Sequence, residues 1–330
     1  MSELLEVKGL GPSKAAVLEE ADIKTIDKLA IQSPLRIKTI LDCSINAATK
    51  LVNEAQSMMQ SAIVVETAED VIKDREQRIL RIPTGVSALD QLIGGGIETD
   101  ALTAFTGEFG TGKSEFCCSV LLNNDLRFGR KSAWIETEPQ TFRGERLVEI
   151  ANARGVKFDP SSVFVVRSRQ ITNTSKQYMA YEAIEKYINR GNDVGVIVID
   201  SFNARFRAEF TERTMLAPRS AATAQHLGFL QYLASEYNIA IIMTMQVMGI
   251  PDAGSQLGSL KKMGIRYKPV GPHVLKHGVN YWLSVDHVSS SGGFTGKVVI
   301  ADAPVARGEC EFNITAAGVG DVSNTRGRAN

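Results

Sequence analysis

Residues 101–116 read Ala-Leu-Thr-Ala-Phe-Thr-Gly-Glu-Phe-Gly-Thr-Gly-Lys-Ser-Glu-Phe. The run from Ala101 to Thr106 has the length and continuity of a buried strand. Gly107, Glu108, Phe109, Gly110, Thr111, Gly112, Lys113 and Ser114 then fit G-x-x-x-x-G-K-[ST], and a helical pattern starts at Lys113. Strand, glycine loop and helix in that order make a phosphate-binding loop. Glycines let the backbone wrap a polyphosphate with its N–H groups turned inward, and the new helix adds unsatisfied donors and the positive end of its dipole. Lys113 would reach the β- and γ-phosphates, and the Ser114 hydroxyl would ligate Mg²⁺. The stretch predicts a nucleoside triphosphate as cofactor.

Working outward, apolar runs alternate with helical patterns. Candidate strands are 132–136, 162–166, 194–200, 239–245, 280–285 and 297–302; candidate helices are 113–128, 143–154, 175–190 and 217–237. Strands separated by helices of this length predict an α/β core, a mostly parallel sheet with helices on both faces. The last two strands have no long helix between them, which predicts an antiparallel edge. Val196-Ile197-Val198-Ile199-Asp200 is an apolar strand ending in a carboxylate. After a phosphate loop, Asp200 is the natural second Mg²⁺ partner. The next strand ends at Gln246, placed to sense the γ-phosphate.

The chain has 330 residues, 44% of them hydrophobic, enough for one large domain and a small one. Its net charge is zero, so nucleic-acid binding must come from local basic clusters. No run approaches the roughly 18 apolar residues of a membrane span, and the N-terminus does not read as a signal peptide. Cys43, Cys117, Cys118 and Cys310 form no C-x-x-C pair and read as small hydrophobes in a reducing compartment.

Residues 1–60 read as a compact helical unit, with Ala16, Leu18, Ile23, Ile26, Leu29 and Ala30 as its apolar positions. Within it, Gly9-Leu10-Gly11-Pro12 is a tight turn before a helix, whose exposed amides can hold a DNA phosphate without reading sequence. Residues 61–82 read as a linker with a charged helix from Thr67 to about Arg78, 83–322 as the core, and 323–330 as a disordered tail. Two long loops interrupt the core. The first, about 202–219, carries Arg205, Arg207, Arg213 and Arg219 among Phe202, Phe206 and Phe210; the second, about 247–272, carries Lys261, Lys262, Arg266 and Lys268. Basic, mobile segments with few acids suit a single-strand phosphate groove.

These motifs together resemble archaeal RadA-type recombinases of the RecA-like family, over nearly the whole chain. Glu136-Thr137-Glu138-Pro139-Gln140-Thr141-Phe142-Arg143-Gly144-Glu145-Arg146 is similar to that family's D-T-E-G-T-F-R-P-E-R. The resemblance implies that Glu138 activates the attacking water and that Arg146 packs against the adenine. Glu136 stands where the family has Asp, and Pro139-Gln140 replaces one Gly. His277, ending a P-V-G-x-x-x-x-x-H stretch, would link the γ-phosphate to the second DNA loop. The N-terminal unit resembles a helix-hairpin-helix domain. Val65-Glu66-Thr67-Ala68 occupies the place of an F-x-x-A segment through which such proteins polymerise, with Val65 and Ala68 at the subunit interface. Val in place of Phe loses roughly one to two kcal/mol of burial per joint at about 25 cal/mol per Å². The implied protein is a DNA-dependent ATPase that binds single- and double-stranded DNA, self-associates as a helical filament or ring, and exchanges strands. It would act on the nucleoid of an archaeal-type cytoplasm, with recombination mediators as possible partners. A paralogue that binds ATP and DNA but exchanges strands poorly is the alternative.

Overall fold

A computed structural model describes residues 2–60, 65–249, 267–269, 274–289 and 293–322. Residues 1–77 and 78–330 form two compact units.

The first unit is helical: α1 (Pro12–Glu20), α2 (Ile26–Ala30), α3 (Pro34–Leu41), α4 (Ile45–Gln60) and α5 (Ala68–Arg78). Leu4, Val7, Leu18, Leu29, Ile37 and Leu51 make its core. Ala15 is buried there and the expected Ala16 faces solvent. Thr25 and Ser33 cap α2 and α3 by accepting backbone N–H bonds from Lys28 and Arg36 at 3.2 Å. Gly9 takes φ +94°, which its turn into α1 requires, and Gly11 caps that helix with Pro12 behind it. Helix α5 buries none of its residues, as its charged sequence anticipates.

The second unit opens with β1 (Arg81–Ile82) paired to β2 (Ile97–Glu98) across α6 (Ser87–Leu92). Then follow β3 (Ala101–Thr106), α7 (Lys113–Phe128), β4 (Lys131–Glu136), α8 (Gly144–Ala153), β5 (Val163–Val166), α9 (Thr174–Ile188) and β6 (Val194–Asp200). Next are α10 (Ala204–Glu209), α11 (Leu216–Glu236), β7 (Ala240–Met245), β8 (Val247–Gly249), β9 (Tyr267–Pro269) and α12 (Val274–His277). The chain closes with β10 (Tyr281–Ser289), β11 (Phe294–Asp302), β12 (Glu309–Thr315) and β13 (Gly318–Asp321). Among the described residues one sheet has the order β13-β12-β11-β10-β3-β7-β6-β4-β5. The strands from β10 to β5 run parallel and β11 to β13 antiparallel. The expected parallel sheet and its antiparallel edge are both present.

Central strands β3, β6 and β7 are buried at every position. Their near-continuous apolar runs carry no alternating charged face because helices cover both sides. Val196, Val198, Ala240 and Ile242 join Phe116 and Val120 of α7 in one core cluster. Ile197, Ile199, Ile241 and Met243 turn to the opposite face, also fully buried.

Two expectations need correction. Residues 202–219 are not a loop: Phe202 and Phe206 are fully buried, with rings 5.2 Å apart, and α10 forms around them. Those rings therefore cannot stack on bases. Of the second loop, residues 247–249 and 267–269 pair as the antiparallel ribbon β8–β9, and 250–266 lie outside the described residues. Strands β12 and β13, unforeseen from the sequence, extend the antiparallel edge.

Candidate functional site

Parallel strands β3, β7, β6 and β4 end side by side, so Thr106, Met245, Asp200 and Glu136 share one sheet edge. Crevices at the carboxyl ends of such strands are where α/β proteins bind ligands. A cleft of about 850 Å³ opens there, lined by Gly107–Gly110, Gly112–Glu115, Glu138, Asp200, Ser201, Arg207, Thr244 and Gln246 among others.

The glycine loop is built for close approach. A Cβ at Gly107 would stand 2.1 Å from the Val285 carbonyl oxygen, and at Gly112, with φ +98°, 2.8 Å from Ile314. Gly110 takes φ +79° over open space, on the side where a ligand would lie. Phe109 is fully exposed at the loop tip. Helix α7 starts at Lys113, whose ammonium donates to the Gly107 carbonyl at 2.9 Å and the Glu108 carbonyl at 2.6 Å. Burial lowers the pKa of Lys113, and the nearby Asp200 carboxylate opposes that.

The Ser114 hydroxyl donates to Asp200 at 2.9 Å, and Thr244 donates to the other Asp200 oxygen. Burial raises the pKa of Asp200 while both hydroxyls pull it down. One carboxylate and one hydroxyl at the mouth of a phosphate loop form a hard oxygen donor set, which fits Mg²⁺ bound together with substrate phosphates. The open cradle at Gly110 fits the phosphates themselves. No group of three or more His, Cys, Asp or Glu suited to a metal occurs among the described residues.

Across the cleft, Ser201 donates to one Glu138 oxygen at 2.6 Å and the Gln246 side-chain amide to the other at 2.6 Å. The Gln246 backbone is clamped by Asn203, which both accepts and donates at 2.9 Å. Arg207 donates to the side-chain oxygen of Gln246. Glu136 turns away: it is buried, accepts from the Ser168 N–H at 3.0 Å and pairs with Arg167 at 3.2 Å. Of the two, Glu138 is the one that reaches the cleft.

The Rad51 family model matches residues 75–322. The chain belongs to the Rad51 family. It is 33% identical to the "DNA repair and recombination protein RadA" of Metallosphaera sedula, over 96% of this chain and 94% of that one. As a Rad51-family member it is a DNA repair and recombination protein of the RecA-like, ATP-binding class. Among the described residues no helix is long and apolar enough to cross a membrane.

Of the remaining described sequence candidates, Arg207 lines the cleft and the others are not among its lining residues. Arg146, at the start of α8, gives its guanidinium to Glu115 at 3.0 Å and to the Thr315 carbonyl at 2.7 Å. His277 is exposed at the end of α12. Arg205 is half-buried and Arg207 exposed on α10; Arg219 is half-buried in α11. Arg213 belongs to a short turn of helix, Arg213–Met215, its side chain outside the described residues, as is that of Lys268 in β9. Lys261, Lys262 and Arg266 lie wholly outside them. Val65 and Ala68 are exposed, Val65 at 93%.

Ser201, Asn203 and Thr244 were missed by motif reading. Two left a signal. Ser201 directly follows Asp200, and Thr244 stands two residues before Gln246, so its side chain shares the strand's alternation. The Arg207–Gln246 contact joins an α10 residue to a strand end and leaves none.

Proposed function

We propose that this chain is a DNA-dependent ATPase that assembles as a filament on single-stranded DNA and promotes homologous pairing and strand exchange. The observation that carries the reading is Glu138, held in the cleft opposite Lys113 and the Ser114–Asp200 pair by Ser201 and Gln246. A carboxylate at that position can take the proton of a water attacking the γ-phosphorus, leaving inorganic phosphate and ADP. Lys113 and the amides at the start of α7 hold the phosphate oxygens. Mg²⁺, held by Ser114 and Asp200 through their oxygens, would neutralise charge developing on the β- and γ-phosphates. Gln246, between Glu138 and the start of the β8–β9 ribbon, reports the state of the cleft to the second DNA loop.

DNA is taken by the basic residues of α10, the turn after it and the β8–β9 segment, and by Gly9 and Gly11 of the helix-hairpin-helix-like unit. Residues 1–60 serve as a DNA-binding domain, 61–82 as the polymerising linker and 83–322 as the ATPase core, acting on the nucleoid in the cytoplasm. A second reading, a paralogue that loads or regulates a recombinase, is favoured by Val65, where an aliphatic side chain replaces an aromatic anchor. A strand-exchange assay with ATP, and again with a non-hydrolysable analogue, separates the two: joint molecules in either condition support the recombinase, and DNA binding with no joint molecules supports the paralogue.

A further inference from the structure

We infer that Arg207 is a positioning residue for Glu138: its guanidinium holds the Gln246 amide against that carboxylate, and a DNA phosphodiester that captures the guanidinium releases it. The inference rests on the DNA-dependent ATPase reading and adds the residue through which DNA acts.

A guanidinium only donates, so the Gln246 atom facing Arg207 is the amide oxygen, and the amide nitrogen must then face Glu138. The flipped amide would set its oxygen against the carboxylate and its N–H groups against the guanidinium, so Arg207 fixes the orientation. In that orientation one Glu138 oxygen receives Gln246 and the other receives Ser201, both at 2.6 Å. Both carboxylate oxygens are thereby occupied by protein donors.

The two ends of this relay are rigid. Asn203 clamps the Gln246 backbone with two hydrogen bonds. Helix α10 is fastened by Phe202 and Phe206, fully buried, with Phe206 4.8 Å from the His226 ring and Phe202 6.3 Å from it. The Arg207 side chain, by contrast, is exposed. Arg219 lies close enough to raise the positive potential around it. An anionic oxygen arriving there competes with a neutral amide oxygen for the same guanidinium, and charge-assisted bonds to phosphate are the stronger kind. Losing Arg207 removes what orients Gln246, and the Glu138 oxygen beneath it becomes available.

The test compares wild type, Arg207→Ala and Arg207→Lys as full-length protein, with oligothymidylate as the probe. Arg207→Ala should hydrolyse ATP without DNA roughly five-fold or more faster than wild type, and its stimulation by oligothymidylate should fall toward one. Arg207→Lys keeps a donor for Gln246 and should keep most of the stimulation. In nucleotide-free protein labelled with ¹⁵N-glutamine, the Gln246 side-chain resonance, assigned by its loss in Gln246→Ala, should move on adding oligothymidylate toward its position in Arg207→Ala. An unchanged or lower DNA-free rate in Arg207→Ala, in a wild type that binds and is stimulated by oligothymidylate, overturns this inference alone. So does a Gln246 resonance indifferent to the oligonucleotide. A wild type that shows no oligothymidylate binding by fluorescence anisotropy overturns both this inference and the DNA-dependent reading.

Discussion

Ser114 and Asp200 meet at 2.9 Å although 86 residues separate them in sequence. The first opens α7 and the second closes β6, so the hydrogen bond ties the phosphate loop to the neighbouring strand end. Lys113 is pinned next to this pair, partly desolvated, and its charge is needed where phosphate oxygens would lie. Lys113→Ala should therefore lose ATP affinity by about 100-fold or more, the scale of a charge-assisted pair in a desolvated site. Titration with a fluorescent ATP analogue measures it, and undiminished affinity would sink the site assignment.

Glu138 and Glu136 lie two residues apart and should part company on mutation. Glu138→Gln keeps the shape and should bind ATP normally while turnover drops by about 10²–10⁴-fold, the contribution of a general base. Glu136→Gln removes the charge facing Arg167 but leaves an oxygen for the Ser168 N–H. It should cost about 1 kcal/mol of stability and leave hydrolysis in place. Steady-state phosphate release and thermal melting on both variants decide it; the reverse pattern would mean that the Pro139-Gln140 insertion shifts the register of the loop.

The core was legible because its strands are uninterrupted β-branched runs and its helices full-length amphipathic patterns, as in 194–200 and 113–128. Asp200 and the loop 107–114 could be read locally, since each site element is contiguous. Residues 202–219 misled because arginines drew attention away from Phe202, Phe206 and Phe210, whose spacing of four is itself a helical signal. Strands β12 and β13 were hidden by half-exposed, mixed sequence around Ala316-Ala317-Gly318. The Glu138–Gln246–Arg207 chain was beyond reach, because three elements must fold before its members meet.

His226 should make the fold acid-sensitive. It is buried against Tyr178, Tyr181, Phe202 and Phe206, with the Tyr181 hydroxyl 3.3 Å from its Nδ1, and burial pushes its pKa down from 6.5 to about 3. The unfolded chain takes up this proton below pH 6.5 and the folded chain does not until about pH 3. The stabilisation of the neutral form is thus complete above pH 6.5 and lost as pH falls from there toward 3. The slope approaches about 1.4 kcal/mol per pH unit once the unfolded histidine is fully charged. Melting curves from pH 7.5 down to 5 should show His226→Gln losing less stability than wild type, with carboxylates common to both cancelling in the difference; parallel curves would mean that the ring is solvated.

Val65 is 93% exposed and stands three residues before α5, itself without a buried residue. An apolar side chain so open, next to a helix with no buried residue, costs little in the free chain and gains only when another surface covers it. In the filament proposed above, an aliphatic residue seated where an aromatic would fit leaves part of the socket unfilled, so each joint would be weak and joints would add along the polymer. Val65→Phe should strengthen every joint by about 1–2 kcal/mol, roughly ten-fold in the association constant. Because elongation repeats that gain at each subunit, average filament length should rise and the concentration for assembly should fall by a similar factor. Light scattering against protein concentration, with negative-stain images, measures both. Ala68→Glu, placing charge in the same contact, should push the midpoint the other way. Equal assembly by wild type, Val65→Phe and Ala68→Glu would show that subunits meet through some other surface.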